Sequence, residues 1–179
     1  MLKFEFDNPD IEQEPIFSAG KTFNAIIIYP FGKKSFGWVE QQKAFENILS
    51  IIKNVQQTYN IDSRRIFLGG MSNGGTGTFW FAMQKPNPFK GFFTFSAMPK
   101  MPVSNINFNN LNQGKPFYSL HAKDDAVFAY KEVFEIYSAH KAAAKDWHFE
   151  TIEKGNHGFI YDPEKGKEIM NGLLKKLLN

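Results

Sequence analysis

The chain contains no cysteine, and this absence excludes several kinds of chemistry at once. A protein without thiols cannot form disulfides, bind a metal through thiolates or use a cysteine nucleophile. Neither sign of charge is in large excess, because 21 Lys and Arg residues stand against 18 Asp and Glu residues and give a net charge of +3. Since the sequence has no basic run, nucleic-acid binding is not indicated.

Long apolar stretches are missing as well. No run approaches the roughly 18 residues that a membrane-spanning helix needs, so no membrane span is predicted. The first ten residues, MLKFEFDNPD, lack the basic start, apolar centre and small-residue cleavage site of a secretory signal. We therefore expect a soluble protein, either cytoplasmic or exported with its signal removed, and a cysteine-free chain suits both compartments.

Phenylalanine, by contrast, is abundant. Twenty of the 179 residues are Phe, and hydrophobic residues make up 42% of the chain. This length and composition predict a single domain, residues 1–179, large enough to bury its own core. Most of the rings are expected to pack that core. The candidates for lining an acyl or aryl pocket are Phe31, Phe36, Trp38 and Trp80.

Short apolar runs alternate with longer segments of helical spacing. This alternation is typical of an α/β protein in which helices cover both faces of a mostly parallel sheet, as in a three-layer α/β/α sandwich. Strands are predicted over residues 25–29, 65–68, 91–96, 116–120 and 147–152, with a further strand or ordered edge segment at 2–6. Helices are predicted over residues 39–59, 76–84, 130–144 and 164–178.

A serine lies between two glycines in the segment Gly70-Met71-Ser72-Asn73-Gly74, directly after a predicted strand. The spacing is typical of a nucleophilic serine raised on a sharp strand-to-helix turn. A side chain at either flanking position, Gly70 or Gly74, is expected to collide with the neighbouring chain. The alternative is that Ser72 is only a turn residue or a helix N-cap.

Two partners for this serine follow the ends of later strands. His157 lies in a glycine-flanked loop and is the candidate base, because a serine hydroxyl needs a neutral imidazole to remove its proton. Asp125 is the candidate acid that orients the imidazole, with Asp124 as the serious alternative and Asp162 as a weaker one. The carboxyl ends of parallel strands converge, so Ser72, Asp125 and His157 can meet there.

The other three histidines are predicted to be structural. His140 and His148 fall in or beside a helix, and His121 lies at a strand end. We expect His121 to hydrogen-bond locally and to shape the loop that carries the candidate acid.

These residues together resemble the α/β-hydrolase superfamily. The order Ser72, Asp125, His157 is that of the superfamily, and residues 59–75, YNIDSRRIFLGGMSNGG, are similar to the nucleophile region of its phospholipase/carboxylesterase and feruloyl-esterase-like branches. His121, Asp125 and Val127 are similar to the His-Gly-x-x-Asp-x-x-Val acid loop of that branch, with Ala122 in place of the glycine and Val127 one residue before the position of the motif's valine. The resemblance extends from about residue 24 to the C-terminus.

The resemblance implies an oxyanion hole of two backbone N–H groups, one from Asn73. The second donor in the superfamily comes from the loop after the strand predicted here at 25–29, where relatives carry His-Gly-x. This chain has Tyr29-Pro30-Phe31-Gly32, so Phe31 is the expected donor and Gly32 the alternative, since proline has no N–H. The chain is also short for the superfamily, which implies a sheet of five or six strands and a small, open cleft.

The function implied is cleavage of a small-molecule carboxylic ester through an acyl-enzyme intermediate, with no metal or organic cofactor. A serine peptidase or thioesterase on the same fold is an alternative, because the triad itself does not select the acyl bond. A binding module that kept the fold and lost the reaction is a third alternative. The pattern specifies neither the acyl group, the alcohol nor the oligomeric state.

Overall fold

The computed structural model describes residues 13–30 and 37–179. The predicted strand at 2–6 lies outside these residues. No helix within the described ranges is both long enough and apolar enough to cross a lipid bilayer. The elements follow one another as α1 Pro15–Thr22, α2 Gln42–Thr58, β1 Phe67–Met71, α3 Asn73–Met83, β2 Gly91–Phe95, β3 Phe117–Ala122, α4 Tyr130–His140, β4 Trp147–Ile152 and α5 Lys165–Leu178.

The described residues form two compact units, one spanning residues 30–157 and the other made of residues up to 29 together with 158–179. The larger unit contains a four-stranded sheet in the order β1-β2-β3-β4, and every neighbouring pair is parallel. Each crossover runs through a helix or a long loop, as parallel pairing requires. The predicted α/β class with a parallel sheet is confirmed, as are the four predicted strands from residue 65 onward, with small shifts at their ends.

The strand ends are aligned in register. Met71 at the end of β1 lies opposite Phe95, and Phe95 lies opposite Leu120 of β3. Ala122, the last residue of β3, lies opposite Ile152, the last residue of β4. The loops that follow β1, β3 and β4 therefore leave the sheet at the same edge.

Aromatic rings fill the core of this unit, as the phenylalanine content predicts. Phe79 of α3 stacks on Phe117 of β3 with ring centroids 4.7 Å apart, and Phe45 of α2 stacks on Phe81 at 5.4 Å. Burying a large ring stabilises a fold by about 1.5–3 kcal/mol. Among the described residues of this unit, the buried Phe side chains are Phe45, Phe79, Phe81, Phe89, Phe92, Phe95 and Phe117.

The smaller unit packs α1 against α5. The sequence pattern does not predict helix α1, because the helix has only eight residues and no side chain caps its first turn. Its one helix-start signal is Pro15 at the first position. Packing against α5 stabilises α1 in the absence of those signals. A Cβ at Gly166 of α5 would lie 2.1 Å from the Ile160 carbonyl oxygen, so only glycine fits there.

The predicted strand at 25–29 is wrong, because those residues form no regular structure. A β-branched run favours extended backbone, but a strand also needs a hydrogen-bonded neighbour, and among the described residues none pairs with this segment. Ile26 and Ile28 are 49% and 43% exposed. The described sheet thus has four strands, not the five or six expected.

Candidate active site

The turn between β1 and α3 holds Ser72 in an unusual conformation. Its φ of 53° and ψ of −121° lie outside the regions that non-glycine residues prefer, at a typical cost of about 1–3 kcal/mol. Two backbone hydrogen bonds hold the residue there: its N–H donates to the Phe95 carbonyl, and its carbonyl accepts from the Thr76 N–H, both at 2.9 Å. The hydroxyl is therefore presented at the sheet edge in a fixed position.

The two flanking glycines differ in what they permit. A Cβ at Gly70 would lie 2.3 Å from the carbonyl carbon of Gly74 and 2.7 Å from the Gly75 nitrogen, so the predicted collision is confirmed there. Among the described residues, outside its chain neighbours and the nearby backbone of its own helix, a Cβ at Gly74 would meet no atom within 4 Å, so the predicted collision is not found there. Gly74 is the second residue of α3.

We expect Gly70→Ala to destabilise the fold by about 1–3 kcal/mol, because backbone atoms must move to admit the methyl group. The matched variant Gly74→Ala should unfold at the same temperature as the parent or slightly above it, since alanine is the better helix former. Thermal unfolding followed by circular dichroism measures both. Equal losses in the two variants would contradict this description of the turn.

His157 reaches the serine from the loop after β4. Its Nε2 lies 2.9 Å from the Ser72 Oγ, and its side chain is 20% exposed. The loop approaches through Gly155 and Asn156, which have positive φ values of 150° and 49°. Both of their N–H groups donate to the Asp124 carboxylate, at 3.1 and 2.9 Å, and this anchors the loop to the one that follows β3.

Asp125 holds the other ring nitrogen. The Nδ1 of His157 lies 2.9 and 3.0 Å from the two Asp125 carboxylate oxygens, and the Asp125 side chain is fully buried. Its Oδ1 also accepts the N–H groups of Val127 and Phe128, at 2.8 and 2.9 Å. Burial raises the pKa of Asp125, but the hydrogen bonds from Phe128, His157 and Val127 outweigh it, so the pKa lies below its ordinary value.

The ionised carboxylate determines which nitrogen of the imidazole carries the hydrogen. A carboxylate can only accept, so Nδ1 of His157 must donate to Asp125. In the neutral ring, Nε2 then keeps its lone pair, which faces the Ser72 hydroxyl. The arrangement can take a proton from Ser72 as the oxygen attacks an electrophile, and can stabilise the imidazolium that results.

The structure thus brings Ser72, His157 and Asp125 together. The alternative acid Asp124 anchors the histidine loop instead, and Asp162 accepts the N–H groups of Glu164 and Lys165.

Of the other histidines, His121 bonds within the acid loop, as predicted, with Nε2 2.8 Å from the Phe128 carbonyl oxygen. His140 is the last residue of α4 and stacks on Phe108. The prediction that His148 lies in or beside a helix is wrong: it is the second residue of β4, and its Nε2 lies 2.7 Å from the Asp146 Oδ1.

Asn73, the candidate oxyanion donor, is the first residue of α3. The first N–H groups of a helix have no intrahelical partner, and the first bond of this helix runs from Thr76 to Ser72. The N–H of Asn73 is therefore left available by the helix, directly after the serine. Phe31 and Gly32, the candidates for the second donor, lie outside the described residues. Across residues 13–30 and 37–179, no three His, Asp or Glu side chains are grouped so as to hold a metal ion.

Phe128 also contacts the site, although the resemblance assigns it no role. Its N–H binds Asp125, its carbonyl accepts from His121, and its ring meets the His157 ring edge-on at 5.5 Å. Contacts made by backbone atoms do not depend on the side chain, so the sequence did not predict them and the folded loop shows them.

Known proteins share both sequence and fold with this chain. Residues 38–164 match the profile of the Phospholipase/Carboxylesterase family. A bifunctional acetylxylan esterase/xylanase of Neocallimastix patriciarum is 26% identical over 113 residues. That match covers 60% of this chain but only 16% of the relative, which is a much longer protein.

Two solved structures show the fold. SOBER1 of Arabidopsis thaliana is 16% identical, with a TM-score of 0.70 over 95% of this chain and 92% of its own. The fluorophosphonate-binding serine hydrolase F of Staphylococcus aureus is 14% identical, with a TM-score of 0.71 over 98% of this chain and 80% of its own. Because the family profile spans well over half of its residues, the chain belongs to the phospholipase/carboxylesterase family of α/β hydrolases.

Proposed function

We propose that this protein is a serine carboxylesterase that cleaves its substrate through an acyl-enzyme intermediate. The observation that carries the proposal is the continuous hydrogen-bonded path from the Ser72 Oγ to the His157 Nε2 at 2.9 Å and from the His157 Nδ1 to the Asp125 carboxylate at 2.9 Å. A nucleophile, a base and an orienting acid in this geometry suit acyl transfer.

In the first half of the reaction, the Ser72 Oγ attacks the carbonyl carbon of the ester and its proton passes to the His157 Nε2. The carbonyl π electrons move onto oxygen and give a tetrahedral oxyanion. When the oxyanion collapses, the bond to the alcohol oxygen breaks, and that oxygen takes the proton from Nε2. The alcohol leaves, and the acyl group stays on Ser72.

In the second half, water occupies the position that the alcohol has left. Nε2 of His157 takes a proton from the water as its oxygen attacks the acyl carbon. Collapse of the second oxyanion breaks the bond to Ser72, whose Oγ recovers the proton from Nε2. The carboxylic acid is released, and the enzyme returns to its starting state without a cofactor.

The oxyanion in both halves requires hydrogen-bond donors. We assign one to the Asn73 N–H, which follows the nucleophile at the start of α3, where the helix dipole also favours negative charge. The second is assigned to Phe31, with Gly32 as the alternative. Each such donor typically contributes about 3 kcal/mol of transition-state stabilisation.

The family profile and the curated relative favour an ester over a peptide. The matching family is named for phospholipases and carboxylesterases, and the curated relative is named for acetylxylan esterase activity. A short acyl ester such as p-nitrophenyl acetate is therefore the first substrate to test.

The test compares three substrates side by side: p-nitrophenyl acetate, an aryl cinnamate and an aminoacyl p-nitroanilide. We expect hydrolysis of at least one ester, with a kcat/KM greater than that for the anilide. Faster cleavage of the anilide would identify a peptidase instead. No turnover of any of the three by folded protein would favour a binding module.

A further inference from the structure

His121 lies beside the proposed active site but has no part in the proton path. It is the fifth residue of β3, and its side chain is only 2% exposed. Its Nε2 lies 2.8 Å from the Phe128 carbonyl oxygen. Because a carbonyl oxygen only accepts, Nε2 must carry a hydrogen and donate it to Phe128.

This bond closes the acid loop on itself. Phe128 is held on two sides, since its carbonyl accepts from His121 and its N–H donates to the Asp125 Oδ1 at 2.9 Å. The other carboxylate oxygen, Oδ2, lies 2.9 Å from the His157 Nδ1 and 3.3 Å from the His121 Nε2. A shift of the Phe128 backbone would therefore move the donor that aims the carboxylate.

Phe128 also contacts the imidazole directly. Its ring meets the His157 ring at 76° with centroids 5.5 Å apart, which is an edge-to-face packing. One residue thus supports both members of the pair that activates Ser72: its backbone holds Asp125, and its ring packs on His157. The bond from His121 fixes that residue in place.

We propose that His121 is a positioning residue for ester hydrolysis, acting through Phe128 to hold the Asp125 carboxylate and the His157 ring in their reactive geometry. The proposal rests on the function proposed above. His121 transfers no proton in it. Its Nε2–H stays bound to the Phe128 carbonyl throughout, and the groups that face it are Asp125, His157 and the Tyr130 ring at 6.3 Å.

The neutral state of His121 suits this role. Burial lowers the pKa of His121, and the opposing effects of the Phe128 carbonyl and Asp125 do not reverse that direction. The lowered pKa favours the uncharged ring at pH 7, and an uncharged ring does not compete with the His157 imidazolium for the Asp125 charge.

The experiment compares His121→Leu, which removes the donor, with His121→Gln, whose amide nitrogen can donate from a similar position. Phe128→Leu removes the ring and keeps the backbone bonds. His148→Gln is the matched control, because His148 is on the neighbouring strand and is half exposed against Asp146. For each variant, kcat and KM for p-nitrophenyl acetate are measured across pH, together with the unfolding temperature.

We expect kcat to fall by about 100-fold in His121→Leu, as for a misplacement near 1 Å, with KM little changed. The acid limb of its pH profile should move to lower pH, because a less well-aligned Asp125 stabilises the imidazolium less. His121→Gln should recover most of the activity, and His148→Gln should match the parent. Unchanged kcat and acid limb in a His121→Leu protein that merely unfolds at lower temperature would overturn the proposal.

A second readout does not depend on turnover. The proton between the His157 Nδ1 and Asp125 should give a strongly deshielded NMR signal in the parent, in His121→Gln and in His148→Gln. We expect the signal to shift or broaden in Phe128→Leu and in His121→Leu if the latter folds. The same signal in all variants would refute positioning by His121. If the signal changes in the variants as expected but the parent hydrolyses no ester, only the proposed function is refuted.

Discussion

Ser72→Ala is expected to lower kcat/KM for p-nitrophenyl acetate by about 10⁴-fold or more, the range seen when a nucleophile of this kind is removed. Without the hydroxyl no acyl-enzyme can form, and only the polar surroundings remain to assist attack by water. The fold should survive. The backbone bonds of residue 72 to Phe95 and Thr76 do not involve the side chain, and alanine bears the same backbone strain as serine.

The control is Ser50→Ala. In the parent, the Ser50 hydroxyl donates to the Glu46 carbonyl on the exposed side of α2. That variant should hydrolyse the ester at the parent's rate. Initial rates and unfolding temperatures of the three proteins provide the comparison. A folded Ser72→Ala protein with most of the parent's activity would show that another group attacks the substrate.

Asp125→Asn is expected to lower kcat by about 10⁴-fold while preserving the shape of the site. The side-chain oxygen of the introduced asparagine can still accept the Val127 and Phe128 N–H groups, which turns its amide NH2 toward the His157 Nδ1. Nδ1 must then accept, so the ring hydrogen moves to Nε2. A protonated Nε2 cannot take the proton of Ser72.

The neighbouring carboxylate offers a close control. In Asp124→Asn the amide oxygen can still accept the Gly155 and Asn156 N–H groups, so the histidine loop keeps its anchor and only a small loss is expected. Steady-state kinetics on both variants settles which carboxylate supports His157. The opposite ranking, with the larger loss in Asp124→Asn, would move the acid to the neighbouring position.

The meeting of Ser72, His157 and Asp125 could be predicted because parallel strands bring their carboxyl ends to one edge. Each of these residues follows a strand whose apolar run is visible in the sequence, and the register of β3 with β4 then leaves little freedom for the loops. The spacing of the acid-loop motif, in which the acid is four residues after the histidine, favours Asp125 over Asp124. Its physical basis is that the Asp125 side chain points inward to two backbone N–H groups, whereas that of Asp124 faces the next loop.

Other features depend on contacts between distant residues and could not be predicted from sequence pattern. The β-branched residues at 25–29 suit a strand, but pairing depends on a neighbouring strand that the described residues do not supply. Helix α1 is too short to show a period and forms against α5. The space that the described residues leave beside a Cβ at Gly74 depends on which segments approach the turn in the fold, and a sequence pattern does not encode this. The organisation of the chain as one domain and the oxyanion role of Phe31 stay predictions.

Covalent labelling tests most directly whether Ser72 is the nucleophile. Purified protein is treated with a fluorophosphonate, its intact mass is measured, and the modified peptide is sequenced. We predict one adduct per chain, located on Ser72, formed much more slowly in His157→Gln and not formed in Ser72→Ala. A folded parent that acquires no adduct, or one that acquires it on another residue, would contradict the proposal that Ser72 is the nucleophile activated by His157.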